Sequence, residues 1–260
     1  MKTNFKFLAL FLSLGLFLQS CSSDDDNGSV VGLDAPEITD FEYGEGDDHS
    51  TEAYAYKGSD IHLEAEIYAE AVVSTITLSI HAEDATAADD EVDWDFEQIY
   101  TDEDYLVINP TFHEHVDVPS NIPAGEYHIE LLVTDTEGNS TEVEGHIEIL
   151  EVITLSDFSI DATAVRGSDF HAEFMINAVH GIHNISVDVH AHDLEVGAGE
   201  EEWDYEVELE DGYHGETEVE FHEHFDIPAT APAGEYHITF TVEDEEGNTE
   251  EYETHIDITE

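Results

Sequence analysis

The sequence predicts an all-β protein made of two tandem antiparallel β-sandwiches, on three observations. Apolar and polar residues alternate with period two, as in half-buried strands: Ile61, Leu63, Ala65 and Ile67 face one way, His62, Glu64 and Glu66 the other. Clusters of Gly, Pro and Asn/Asp separate these runs, and no helical period of comparable length occurs. The whole pattern then repeats: residues 57–151 align without a gap on 166–260, at an offset of 109, with 40 of 95 positions identical. A repeat of this length is a domain.

Within the first copy the expected strands are 36–43, 59–69, 73–82, 92–100, 110–118, 125–135 and 139–150, with the second copy following at the same offset. About seven strands in roughly 110 residues is the count of an immunoglobulin-like sandwich. The lone cysteine, Cys21, excludes the inter-sheet disulfide of many such domains, so the apolar core must suffice. Trp94 and Trp203 match between copies and read as core. Upstream, Ile38-Thr-Asp-Phe41 matches Leu155-Ser-Asp-Phe158, with eight extra residues in the first copy. The sandwiches are expected over 35–151 and 152–260.

Residues 1–20 have the shape of a secretory signal: Lys2 and Lys6, then an apolar run from Phe7 to Leu18 too short to span a bilayer. The run ends in Leu18-Gln-Ser-Cys21, which resembles a bacterial lipobox. That resemblance implies cleavage before Cys21, lipidation of its thiol, and an outer-membrane anchor. Asp24-Asp-Asp26 looks like a surface-export tether, and 21–34 is polar enough to be a flexible acidic stalk.

Charge narrows the partners. There are 66 acidic residues against four basic ones, a formal net charge of −62. Such a surface repels nucleic acid and anionic lipid and concentrates cations. Beyond the leader the only basic residues are Lys57 and Arg166, which match between copies; each is expected to pair with a carboxylate near the start of its strand.

Acidity does not account for 17 histidines. His62, His81, His113, His115, His128 and His146 all recur, as His171, His190, His222, His224, His237 and His255. Parity puts them on outer faces. Phe112-His-Glu-His-Val-Asp-Val-Pro and Pro123-Ala-Gly-Glu-Tyr-His128 concentrate three of them within one strand, a turn and the next strand. The turn Asp135-Thr-Glu-Gly138-Asn139 reads as a three-residue hairpin loop, which sets His128 directly opposite His146. Facing Cβ atoms stand ~4.5–5.5 Å apart, so two imidazoles there can share a metal. Sandwich topology gathers all six at one pole, with His81, His128 and His146 on one sheet and His62, His113 and His115 on the other. One site or two stays open.

The hairpin pair is the first choice of ligands, then His113 and His115, then His81 and His62. His49 lies in the stretch the second copy lacks and serves as the bystander. In Val179-His-Gly-Ile-His-Asn184, His180 and His183 are either solvated loop residues or ligands approaching the first cluster across the junction. His190-Ala-His192 extends the second cluster.

Imidazoles flanked by carboxylates suit a divalent transition metal, Zn²⁺ or Cu²⁺. A metal-free reading is a ladder of His–carboxylate hydrogen bonds that tempers the charge, stabilised by mild acid and indifferent to Zn²⁺. Another is a cell-surface adhesion module for glycan or protein. His-x-His followed by Pro-x-Gly-x-x-His also resembles fragments of the cupin motifs. The spacing is too short, however, no Glu follows His115 at the cupin offset, and Leu132 replaces the cupin Asn. No nucleophile elbow or phosphate loop occurs, so an enzyme is not expected.

The repeated PAGEYH and HEH units with the lipobox resemble a family of His-rich surface lipoproteins of Bacteroidota, catalogued as domains of unknown function. The resemblance covers both repeats and the leader and implies a lipid-anchored, cell-surface location. Proteins of that kind often accompany outer-membrane import systems, which makes metal capture or handover to a transporter the expected role.

Overall fold

The computed structural model describes residues 32–46, 49–88, 91–191 and 194–260. The expected signal segment 1–20, Cys21, most of the stalk 21–34, and His192 lie outside the described residues.

Every regular element among the described residues is a strand. The first half holds β1 (Glu37–Glu45), β2 (Tyr54–Tyr56), β3 (Asp60–Tyr68), β4 (Val73–Ala82), β5 (Asp95–Tyr100), β6 (Thr111–Asp117), β7 (Gly125–Asp135) and β8 (Ser140–Leu150). The second repeats the order as β9 (Ile153–Ile160), β10 (Thr163–Val165), β11 (Asp169–Ala178), β12 (Ile182–Ala191), β13 (Tyr205–Leu209), β14 (Glu218–Asp226), β15 (Gly234–Asp244) and β16 (Thr249–Thr259). Each half has a three-stranded sheet, β1-β3-β6 or β9-β11-β14, and a five-stranded sheet, β2-β8-β7-β4-β5 or β10-β16-β15-β12-β13. The result is two tandem immunoglobulin-like β-sandwiches, each with its own hydrophobic core.

Alternation decides which face goes inside. Ile61, Leu63, Ala65 and Ile67 on β3 meet Ile76, Leu78 and Ile80 on β4 and Tyr127, Ile129, Leu131 and Val133 on β7, all buried. Trp94 packs on Tyr127 at 5.4 Å between ring centroids, and Trp203 on Tyr236 at 5.2 Å. The Tyr127 hydroxyl donates to the Pro123 carbonyl (2.9 Å) and that of Tyr236 to Pro232 (3.0 Å), a tyrosine corner in each half. These rings and their corners do the work of the absent disulfide.

Strands 73–82 and 125–135 have their expected bounds. The 92–100 strand shortens to β5 because the Val92 amide is drawn away to the Asn121 carbonyl (2.9 Å). The three-residue β2 and β10 were not foreseen. They pair parallel with β8 and β16 and are too short to show a period. The β7–β8 hairpin closes as expected: the Asp135 amide donates to the Asn139 carbonyl (2.9 Å), and Gly138 takes φ +87°. Lys57 pairs with Glu91 (2.8 Å) and Glu151 (3.1 Å), and Arg166 with Glu200 (2.7 Å) and Glu260 (3.3 Å). No helix among the described residues is long and apolar enough to cross a membrane.

Candidate metal centre

Two adjacent strands converge the imidazoles. On β6, His113 and His115 flank Glu114 and point outward. Glu114 turns toward the core margin, where the Tyr105 hydroxyl donates to its carboxylate (2.6 Å), so it is a paired carboxylate and not a bulge. On β3, His62 stands directly opposite His115. The three rings form a triangle with centroids 4.9 Å (His62–His113), 5.2 Å (His62–His115) and 5.7 Å (His113–His115) apart. The second sandwich repeats it: His171–His222 at 4.8 Å, His171–His224 at 5.1 Å and His222–His224 at 5.8 Å.

The first triangle has a lid that sequence reasoning treated as a bystander. At the end of β1 a Cβ on Gly46 would overlap the Asp60 carboxylate, and Ser50 N donates to Glu45 O (3.0 Å). His49 there takes φ +48°, a left-handed conformation that His adopts more readily than most residues. Its ring lies 4.4 Å from His62, 5.2 Å from His115 and 5.6 Å from His113. One ring nitrogen from each of His49, His62, His113 and His115 lies within 4.8 Å of the others, and the same holds for His171, His222 and His224.

This lid explains an unexpected burial. His62 sits on the solvent face of its strand yet is only 3% exposed. Neither of its ring nitrogens has a hydrogen-bond partner. Burial, reinforced by His49, His113 and His115, pushes its pKa below the usual 6.5, which favours the neutral ring a metal requires. Carboxylates orient the neighbours: Asp60 contacts His115 Nδ1, and Asp169 Oδ2 lies 2.6 Å from His224 Nδ1. A proton shared on that side leaves the Nε2 lone pair free.

His81, His128 and His146 line the other sheet, as topology required, so each sandwich carries two groups on opposite outer faces. His128 faces both His146 and His81, at 5.2 and 5.0 Å between ring centroids. His237 faces His255 at 4.9 Å and His190 at 5.1 Å. These rings stand in a row, one per strand, because strands ~4.8 Å apart hold facing side chains side by side. His146 turns to Glu83 (2.9 Å) and His190 to Asp188 (2.6 Å). The hairpin pair is thus adjacent as expected, but the compact arrangement of nitrogens lies on the three-stranded sheet.

Two groups escaped sequence reasoning. His180 lines a cleft with Asp60 and Asp117 of the first sandwich, but His183 turns instead to His214 and Glu245. His214, a single residue in a Gly-containing loop, carried no pattern to find it by. Glu130, Glu142 and Glu144 also crowd together on the five-stranded sheet; coulombic repulsion from Glu130 and partial desolvation raise the Glu142 pKa.

A single family profile matches the chain twice, over residues 19–150 and 151–259. The chain belongs to the DUF4625 family, a domain of unknown function. Comparison with curated proteins gives no match. Among solved structures, the tetra-tandem repeat from the extending region of a large adhesion protein is similar at 10% identity and TM-score 0.33, over 87% of this chain and 50% of that one. Dimeric latent PorU from Porphyromonas gingivalis is similar at 14% identity and TM-score 0.30, over 87% and 20%. The mixed-linkage glucan protein SGBP-B of Bacteroides ovatus, solved with a heptasaccharide, is similar at 14% and TM-score 0.27, over 87% and 48%. The chain spans half or less of each of these proteins, and likeness this distant assigns no function.

The two DUF4625 domains differ in closure. The first surrounds its centre with four imidazoles, one of them buried. The second has three, and the Glu173 carboxylate lies 3.5 Å from His171 and 3.4 Å from His222, closer than Glu64 lies to His62 (3.9 Å).

Proposed function

We propose that this protein is a lipid-anchored, cell-surface binder of a divalent transition metal, Zn²⁺ or Cu²⁺, which it captures for handover to an outer-membrane importer. The metal is held in the first domain by His49, His62, His113 and His115, and in the second by His171, His222 and His224. The observation that carries this reading is the buried His62 ring with both nitrogens unpaired among three other imidazoles. An unpaired buried polar atom costs about 1–3 kcal/mol. A cation at the centre of the four rings removes that cost for the nitrogen that binds it.

The chemistry of the donors fits. Neutral imidazole suits Zn²⁺ and Cu²⁺, and four of them make a closed site, whereas three leave a position for exchange. Nitrogens bound to one tetrahedral Zn²⁺ at ~2.0–2.1 Å stand roughly 3.4 Å apart, so the four rings, whose nitrogens lie within 4.8 Å of one another, would draw together on binding. The acidic surface raises the local cation concentration. Anchoring through Cys21 and delivery to a transporter rest on the lipobox and on the surface-lipoprotein resemblance.

The test is thermal melting of the full chain with added Zn²⁺ or Cu²⁺, reversed by chelator. Binding to the folded state alone raises Tm with metal concentration. A Tm unchanged by either metal would remove the proposal.

A further inference from the structure

We infer that His183, His214 and Glu245 form a third divalent-metal site, of the two-His, one-carboxylate class, present in the second domain only. It uses none of the residues of the two sites above and stands or falls without them.

Three segments deliver the ligands. His183 is the extra residue of a bulge in β12, between the pairs Ile182–Asp244 and Asn184–Glu243; bulges re-aim side chains. Glu245 opens the β15–β16 turn. His214 ends a single turn in which the amides of Tyr213 and His214 both donate to the Glu210 carbonyl at 3.0 Å. Backbone hydrogen bonds stitch these segments together. Glu245 N donates to Gly181 O (3.0 Å), Gly215 N to Ile182 O (2.8 Å), and Ile182 N to Glu216 O (3.0 Å). The segments that carry the ligands are therefore held together by main chain.

The three side chains converge. Glu245 Oε1 lies 3.3 Å from His214 Nδ1, and Oε2 lies 3.7 Å from His183 Nδ1. His214 Nδ1 also lies 3.2 Å from the His183 carbonyl, which it reaches as a donor, leaving its Nε2 lone pair free. One donor atom of each residue lies within 4.8 Å of the other two. All three side chains are roughly half exposed, so a cation reaches them from solvent and keeps open positions.

The first domain supplies the comparison. It has the same scaffold: a bulge at Ser74, Thr136 N donating to Val72 O (2.9 Å), and Leu106 N donating to Asp102 O (3.1 Å). Tyr105 and Tyr213 play the same part toward Glu114 and Glu223, a local shift of one from the 109-residue offset, so Leu106 is the structural counterpart of His214. Ser74, Leu106 and Thr136 offer no comparable ligand set. Three positions far apart in sequence carry ligands together in one copy and lack them together in the other.

Residue-resolved ¹H–¹⁵N spectra of the histidine rings, recorded on the full chain during Zn²⁺ titration, test this. His183→Gln and His214→Gln assign the signals. The expected result is that both rings respond together and saturate at one common concentration. Glu245→Gln should shift that concentration upward by about tenfold or more. Rings that stay still, respond at separate concentrations, or ignore Glu245→Gln would overturn the inference. His62 is read in the same spectra, so failure here and failure of the four-His site are told apart.

Discussion

The ring of His49 covers that of His62 at a centroid distance of 4.4 Å and turns an outward-facing strand residue into a buried one. The contact crosses from the segment unique to the first copy to a strand common to both. It makes the first centre a closed four-imidazole site and leaves the second open.

His49→Ala should therefore loosen the first centre toward the second. Chelator competition on a His183→Gln/His214→Gln background, which lacks the third site, should resolve two affinity classes. Adding His49→Ala should abolish the tighter class, with a drop of roughly tenfold or more. Survival of the tighter class would separate His49 from the site.

His62 sets a pH dependence. Its folded pKa is depressed by burial first, and then by His49, His113 and His115. A depressed group adds stability that is complete above its unfolded value, near 6.5, and is lost as pH falls through the folded value. Denaturant unfolding of metal-free protein should show the native chain losing stability relative to His62→Gln as pH falls from 7. A ladder of protonated histidines predicts the opposite sign.

The Tyr105 hydroxyl is pushed up to about 12, by burial first and then by its hydrogen bond to Glu114; Tyr213 behaves likewise beside Glu223. Raised groups stabilise fully below the unfolded value of 10 and lose that contribution as pH rises toward 12. Tyr105→Phe should cost about 1.5–3 kcal/mol at neutral pH, as expected for a hydrogen bond to a charged acceptor. Chemical unfolding at pH 7 and pH 11 should show the cost shrinking at the higher pH.

Lys57→Met should destabilise the first sandwich, because it strands Glu91 and Glu151 without their cation. The loss should be about 1.5–3 kcal/mol by denaturant unfolding. A matching loss from Arg166→Met in the second sandwich would show that the two cations, which match between copies, do the same work.

Much of this was legible in the sequence. Period-two runs located the long strands, and a hairpin turn with Gly138 at its left-handed position set His128 against His146. Topology sorted the six histidines onto two sheets because the strand order of the sandwich decides sheet membership. What escaped depends on contacts that no local pattern encodes. Tyr54–Tyr56 is too short to show alternation. His49 meets its partners where Ser50 N bonds back to Glu45 O, and His214 through main-chain bonds to β12. Register alone placed His128 beside His146, at 5.2 Å between ring centroids; the triangle of His62, His113 and His115 needed in addition the pairing of two strands distant in sequence.

The most direct measurement is Zn²⁺ uptake by the purified full chain, by elemental analysis after titration and desalting. The native protein is compared with a His62→Ala/His113→Ala variant and a His81→Ala variant. The first variant should lose one equivalent while His81→Ala loses none. Equal uptake by all three proteins, or no uptake by the native chain, would contradict the four-imidazole site.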